Sequence, residues 1–525
     1  MSDLAEATPL SRLRHLDFLR ALAIVAVVLG HWFLMTVARL PDGGLTGYNA
    51  LPLLEDFWWL TWLFQVMPLF FFVGGAGNGI SWGRRRDDGV AAWLLGRSGR
   101  LFPPVTLLLG AMLLGVVVAQ WLAVDERFLA EAVGVIILPL WFLVVYIAVI
   151  VLTPVMCWLH RRCGAGVLGV MIAAVALLDI PRVALGVEAW GYANYAFGWL
   201  VIYQAGIVWG EIAGGDSSKI RIRVHPAVLF LGSLAMLVLL TVVGPYPVPM
   251  VAVPQTTINN PSPPTLAFLA LAGVQVGFAA WVAGPVDRWL TRSRFAWRAT
   301  IAVNAVVMTL FLWHMVAAFL AALVMVGVGW LPDSDVGTSG WWLGRLPWMA
   351  AIAVVMAGLL VTVGRWEARG LRRGGVRRGR VRRGPGSVRR GGQPIPDSTT
   401  PERDHPAHLR RGPGSVPLSR SGPGSLTQSG VLGEQTGPTA FGTEKSGPTT
   451  ARDWAGRVLT STPVVSAAYV TAALGMMWQN SVGLGPHGPF MVPTGALILV
   501  FAAATVLWLG RLCVGRSGII PRVRR

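Results

Sequence analysis

The chain has 525 residues, of which 54% are hydrophobic and only 13% charged. Soluble domains carry roughly 25% charged residues, so this composition excludes a water-soluble globular protein and points to lipid as the solvent. The net charge is +19, and almost all of the positive charge is arginine. Most of it lies in short loops between apolar runs and in one tail, which reads as topology signalling and not as a nucleic-acid interface.

A helix needs about 20 apolar residues to cross a bilayer. In chain order, candidate spans lie at roughly 16–38, 57–80, 102–123, 133–158, 165–183, 192–213, 226–245, 264–284, 299–329 and 346–364. Arg12 and Arg14 precede the first span. Arg84, Arg85, Arg86, Arg97 and Arg100 separate the second from the third, and Arg161 and Arg162 follow the fourth. Lys219 and Arg221 follow the sixth, Arg288 and Arg292 the eighth, and Arg365 and Arg369 the tenth. The alternate loops hold acidic residues instead, among them Asp42, Glu55, Asp56, Asp125, Glu126 and Asp335. This alternation predicts about ten spans, with the N-terminus and residue 370 on the cytoplasmic side. No cleavable signal peptide is read at the N-terminus. The cysteines, Cys157, Cys163 and Cys513, show no CxxC spacing and imply neither a zinc site nor a disulfide framework.

From 371 to 455 the composition turns to Gly, Pro, Ser, Thr and Arg, and Arg-Arg-Gly-Pro-Gly-Ser-Val occurs at both 382–388 and 410–416. This segment is expected to be a disordered basic cytoplasmic linker, and its arginine pairs suit anionic lipid head groups. Two further apolar stretches, about 463–479 and 493–512, predict a helical hairpin within 456–525, followed by a basic C-terminus. The fold class is therefore all-α: a polytopic membrane helical bundle spanning 1–370, with a linker and a C-terminal hairpin appended.

Ionisable groups within a span cost a few kcal/mol each, so they mark candidate chemistry. Arg20 and His31 are eleven residues apart in the first span. At 100° per residue they share one helix face, about 16 Å apart along the axis, and Asp17 joins that face. A guanidinium suits phosphates and an imidazole suits proton transfer. The same spacing also fits an Arg20 that snorkels to the interface and a His31 that only hydrogen-bonds a neighbouring helix. Arg97 and Arg100 form a second cluster, which also reads as ordinary positive-inside loading. Small residues at 74, 75, 77 and 79 permit close approach of another helix or a ligand. Trp141 opens an aromatic-rich span, and Asn304 and His314 lie in the ninth.

In combination these motifs resemble the integral-membrane acyltransferase-3 family. The resemblance rests on Leu16-Asp17-Phe-Leu-Arg20, the Arg-x10-His spacing ending at His31, and Pro68-Leu-Phe-Phe-Phe-Val-Gly-Gly75. It continues through Arg97-x-x-Arg100-x-x-Pro103, Leu140-Trp141-Phe142-Leu143 and Leu312-Trp313-His314, and covers residues 10–367. It implies transfer of an acyl group from cytoplasmic acyl-CoA, without a metal, to a hydroxyl or amine of a glycan, glycolipid or metabolite acceptor in a bacterial cytoplasmic membrane. Under it, His31 is general base or covalent acyl carrier, Arg20, Arg97 and Arg100 hold the donor phosphates, and Asp17, His314 and Trp141 serve substrate binding. The chain departs from the family at Gly74, where a serine is usual, and Ser81 is the nearest substitute in sequence. The rival reading is a transporter or flippase of a lipid or polar metabolite, without acyl-transfer chemistry.

Overall fold

A computed structural model describes residues 12–39, 45–214, 224–331, 334–365, 451–481 and 493–517. The expected linker at 371–455 lies outside the described residues except for its last few positions. Among the described residues, twelve α-helices longer than four residues make up the main body: α1 Arg14–Leu34, α2 Met67–Gly83, α3 Val90–Trp121, α4 Glu126–Ile137, α5 Leu140–Cys163, α6 Gly166–Leu185, α7 Asn194–Ala213, α8 Pro226–Val238, α9 Leu266–Arg292, α10 Arg294–Ala305, α11 Val307–Gly327 and α12 Ser339–Leu359. The C-terminal part adds α13 Ala451–Leu459, α14 Thr462–Ser481 and α15 Thr494–Ser517. Among the described residues, eleven helical segments are long and apolar enough to cross a membrane, ten of them in the main body. The chain is an all-α polytopic bundle with a C-terminal hairpin.

The sequence boundaries move at five places. The first span stops at Leu34, and Met35–Arg39 pairs with Leu45–Asn49 as an antiparallel β-hairpin. The second span is broken: α2 begins only at Met67, with Pro68 in its first turn, where a missing N–H costs no helical bond. The third helix starts at Val90, about three turns before the expected boundary, and so takes in Arg97 and Arg100, which the sequence reading left near the loop. The long run at 299–329 splits at Val306 into α10 and α11. A separate helix, α4, also precedes α5; Asp125 caps it by accepting a hydrogen bond from the Phe128 N–H at 2.9 Å.

Helix α1 lies at the centre and is tied to its neighbours along its whole length. At one end the Arg14 guanidinium donates to Leu290 O at 3.0 Å, and the His15 ring pairs with Asp287 at 2.7 Å. Asn304 of α10 donates to Asp17 O at 2.8 Å. At the other end Trp32 Nε1 donates to His314 O at 2.9 Å, and Trp348 Nε1 donates to Trp32 O at 2.8 Å. Buried Arg345, lying over the rings of Trp341 and Trp348, donates to Met35 O at 2.9 Å.

The small residues of α2 serve helix packing. Gly75 faces Gly206 of α7, Gly79 packs on Ile207, and Gly210 packs on Ala76, so small residues line both sides of the contact. A Cβ on Gly75 would run into the carbonyl oxygen of Tyr203, and one on Gly206 into that of Phe72. At the far end from Arg14, buried Asp179 of α6 binds the irregular segment at 244–265. It accepts from the Tyr246 hydroxyl and the Leu266 N–H, each at 2.8 Å, and pairs with Arg182 at 3.6 Å. Burial and the Asp179 charge push the Tyr246 phenol above its ordinary range, so it remains the donor.

Helices α14 and α15 form an antiparallel pair: Gly475 meets Ala496 and Val500, and Gly495 meets Trp478. The pair docks on α3 and α5. The Tyr469 hydroxyl donates to Leu94 O at 2.7 Å, and its ring packs edge-on against Phe102.

Because backbone cannot yield as a side chain does, Gly206→Ala should force α2 and α7 apart and cost about 1–3 kcal/mol. A lowered midpoint in a thermal-unfolding assay in detergent tests this. Gly115→Ala, where nothing lies within 4 Å of the added carbon, should leave the midpoint unchanged.

Candidate active site

The polar face of α1 turns into the bundle. Arg20 reaches α2, where a Cβ on Gly77 would come within 3.6 Å of the guanidinium, and it lies 3.8 Å from the Asp17 carboxylate. Asp17 also accepts from Arg12 Nε at 2.6 Å, which raises the Arg12 guanidinium above its ordinary value. Asp17 thus belongs with Arg20 and is remote from the residues around His31. Arg97 of α3 lies close enough to Arg20, Tyr146 and Tyr203 for its charge to be felt by each, and stacks over Trp93 at 5.0 Å. Arg100, one turn further along α3, is exposed. We call this the basic end of the bundle.

His31 lies about 16 Å from Arg20 along the same helix. It is exposed, and the surface it shows lines a half-open cavity of about 560 Å³. The cavity is walled by α1 from Ala26 to Leu34, by the β-hairpin at Tyr48 and Asn49, by Trp141 and Phe142, by Phe311 and His314, and by Asn259 and Ser262 of the irregular segment. Of the residues expected to serve substrate binding, His314 and Trp141 line it. The structure therefore gathers the sequence candidates into two groups, Asp17, Arg20, Arg97 and Arg100 at the basic end, and His31, Trp141 and His314 at the cavity.

Two imidazoles meet in this cavity. The ring centroids of His31 and His314 are 5.1 Å apart. His31 Nδ1 is 2.8 Å from Val27 O, and His314 Nδ1 is 2.7 Å from Phe311 O. A carbonyl can only accept, so both rings carry their proton on Nδ1, and each Nε2 keeps a lone pair. His314 Nε2 is buried and has no hydrogen-bond partner. Asn259 Oδ1, of another residue lining the cavity, is likewise buried without one. The cavity thus presents two basic nitrogens in walls that are otherwise mostly apolar, an arrangement able to take a proton from a hydroxyl held between them. Their separation is fixed by Trp32, which follows His31 in the chain and hydrogen-bonds the backbone of His314.

The missing serine also finds an explanation. A Cβ on Gly74 would lie 2.9 Å from the Tyr146 ring and 3.4 Å from its hydroxyl. Tyr146 of α5 therefore fills the place of a side chain at 74 and brings a hydroxyl to that spot. Ser81 is no substitute: it lies two turns away and accepts from Trp93 Nε1 at 3.2 Å. The sequence contained Tyr146 within an aromatic run, but nothing there coupled it to a residue 72 positions earlier.

The acyltransferase-3 family model, an acyltransferase domain, matches residues 13–364. The chain belongs to that family. No curated protein and no solved structure matches it. The match spans the main body from before α1 to the end of α12, with both groups of site residues inside it. The hairpin of the acyltransferase, α14 and α15, lies beyond the match.

In this acyltransferase Gly74→Ser should lower both the thermal midpoint and acyl transfer, since its Cβ meets the Tyr146 ring. The double variant Gly74→Ser/Tyr146→Ala should recover the midpoint. Measuring both proteins in the same detergent decides whether the two positions compete for one space.

Proposed function

We propose that the protein moves an acyl group from acyl-CoA on the cytoplasmic side of a bacterial cytoplasmic membrane to a hydroxyl or amine of a carbohydrate, glycolipid or related acceptor on the other. The observation that carries this reading is the pair of imidazoles in the cavity, each with its Nε2 lone pair uncommitted, at the opposite end of α1 from an arginine cluster.

The acceptor occupies the cavity with its hydroxyl at His31 Nε2. Arg20 and Arg97 bind the donor phosphates through charge-assisted hydrogen bonds, and the donor arm runs along α1 to bring the thioester to the same point. His31 takes the hydroxyl proton while the oxygen attacks the thioester carbonyl. The oxygen–carbon bond forms and the carbon–sulfur bond breaks. The proton on His31 passes to the departing thiolate, which leaves as the free thiol. His314, beside His31, orients the acceptor through its own Nε2, and Trp141 supplies a flat apolar wall of the kind that sugar rings stack upon.

His31→Ala should abolish acyl transfer while leaving the thermal midpoint near that of the unaltered protein, since the ring faces open cavity. Arg97→Gln should raise KM for acetyl-CoA with a smaller effect on kcat, because a ground-state contact to phosphate is lost. The readout is thiol release from acetyl-CoA by the purified protein in vesicles. Undiminished release by His31→Ala would overturn the catalytic assignment. A protein that moved lipid or metabolite between leaflets without consuming acetyl-CoA would instead be a transporter.

A further inference from the structure

The β-hairpin that follows α1 borders two spaces. One is the cavity that holds His31 and His314. The other is a half-open groove of about 160 Å³ between the hairpin, α4 and α11. Met35, Gly47 and Val135 line both, so the two spaces adjoin at these residues. Gly47 pairs with Val37 across the hairpin. Its φ lies outside the left-handed region, so the backbone does not require glycine there. Packing does not require it either, since a Cβ at 47 would have only Thr36 O near it, at 4.0 Å. What the missing side chain leaves is room at the junction.

The two linings differ in chemistry. Val37 and Leu45 of the hairpin, Phe128 and Ala132 of α4, and Phe319 and Leu323 of α11 make the groove apolar. The Phe128 and Phe319 rings are 5.9 Å apart. Among the described residues Glu131 is the one charged group in this lining, and a carboxylate repels an anionic head group. Helices α4 and α11 both belong to segments long and apolar enough to cross a membrane, and Leu323 is exposed. A hydrocarbon chain can therefore enter the groove from the bilayer without meeting water. In the cavity, Tyr48, Asn49, Gln65, Asn259 and Ser262 bring neutral hydrogen-bonding groups, and Asn259 Oδ1 is buried without a partner. No Asp, Glu, Lys or Arg is among the described residues lining it. A charged group drawn in would lose its water and find no counter-ion.

We propose that the acceptor is a neutral glycolipid, with its sugar in the cavity at His31 and its hydrocarbon chain in the groove between α4 and α11, the two parts joined past Gly47. This rests on the reading of the cavity as the acceptor site. The groove is a binding site for the acceptor's own chain, because it opens into the cavity where the sugar hydroxyl must lie. Neutral side chains around the imidazoles suit sugar hydroxyls, which donate and accept at once. The acceptor stays in the bilayer throughout, and the hairpin divides its polar part from its apolar part.

The probe is dodecyl β-glucoside with a diazirine at the middle of its chain, photolysed with the full-length purified protein in phosphatidylcholine vesicles. Mass spectrometry should place the adduct within 128–135 and 319–326. Unlabelled dodecyl glucoside should compete at least about tenfold better than dodecyl glucuronide, which adds a carboxylate, or than dodecanol, which lacks the sugar. Gly47→Leu, which plugs the junction, should cut labelling about tenfold with the thermal midpoint unchanged. Val37→Asn, which makes the groove polar without touching the junction, should cut it several-fold and guards against a folding defect in the first variant. Labelling elsewhere, or labelling that survives both substitutions, overturns the proposal. Equal competition by dodecanol makes the groove a seat for any bilayer chain and overturns it. Better competition by dodecanoyl-CoA assigns the groove to the donor's acyl chain and overturns it, and equal competition by the glucuronide overturns the neutral acceptor. Labelling needs no acetyl-CoA, so these failures are separate from a failure to release thiol. A protein labelled as expected that releases no thiol supports the glycolipid site and overturns the acyl-transfer reading.

Discussion

The architecture depends on the cost of placing ionisable groups in a hydrocarbon-spanning helix. Asp17, Arg20 and His31 share one face of α1, and lipid would reject that face. The helix can span only if other helices cover it, and the covering is specific. Gly77 leaves room for the Arg20 guanidinium, and Asp17 balances part of its charge. His31 is given a cavity to face. The remaining helices are disposed around that requirement, so α1 touches α2, α9, α10, α11 and α12 within a single helix length.

The ties that hold α1 are hydrogen bonds from long polar side chains to backbone carbonyls, a form of fixation suited to low dielectric. Trp32, Trp348, Arg345, Asn304 and Arg14 each use a side-chain N–H to reach a carbonyl on another helix or at the end of α1. Each such bond is stronger where water is excluded, and each buried donor would be costly if left unpaired. Two of these ties are made at Trp32, the residue after His31. The position of His31 relative to His314 therefore follows from backbone-to-backbone geometry relayed through Trp32, a residue whose neighbouring place in the sequence does not disclose the link.

What the sequence disclosed and what it concealed divide along physical lines. Arg20 and His31 were legible as a pair because helical periodicity alone puts them on one face. The number of spans in the main body was legible because arginine loading alternates with acidic loops. The approach of His314 to His31, and of Tyr146 to Gly74, was not legible, since each depends on how distant helices pack. The breaks at Val306 and before Met67 lie within runs whose apolar character does not change. The early start of α3 was hidden because Arg97 and Arg100 resembled loop charges, although Val90 to Leu95 is a sound helical turn. The irregular segment at 244–265 could not be read from its prolines. It proves to be anchored by Asp179 and to supply Asn259 and Ser262 to the cavity wall.

The cavity lining ends at Ala26 on α1 and Met67 on α2, whereas Arg20 meets α2 only at Gly77. Between those levels stand Ala23, Ile24, Phe71, Phe72, Val73 and Ile147, all buried. This stratum is a low-dielectric layer between the two ends. Apolar side chains at this level oppose the passage of ions and protons between the arginines and the imidazoles.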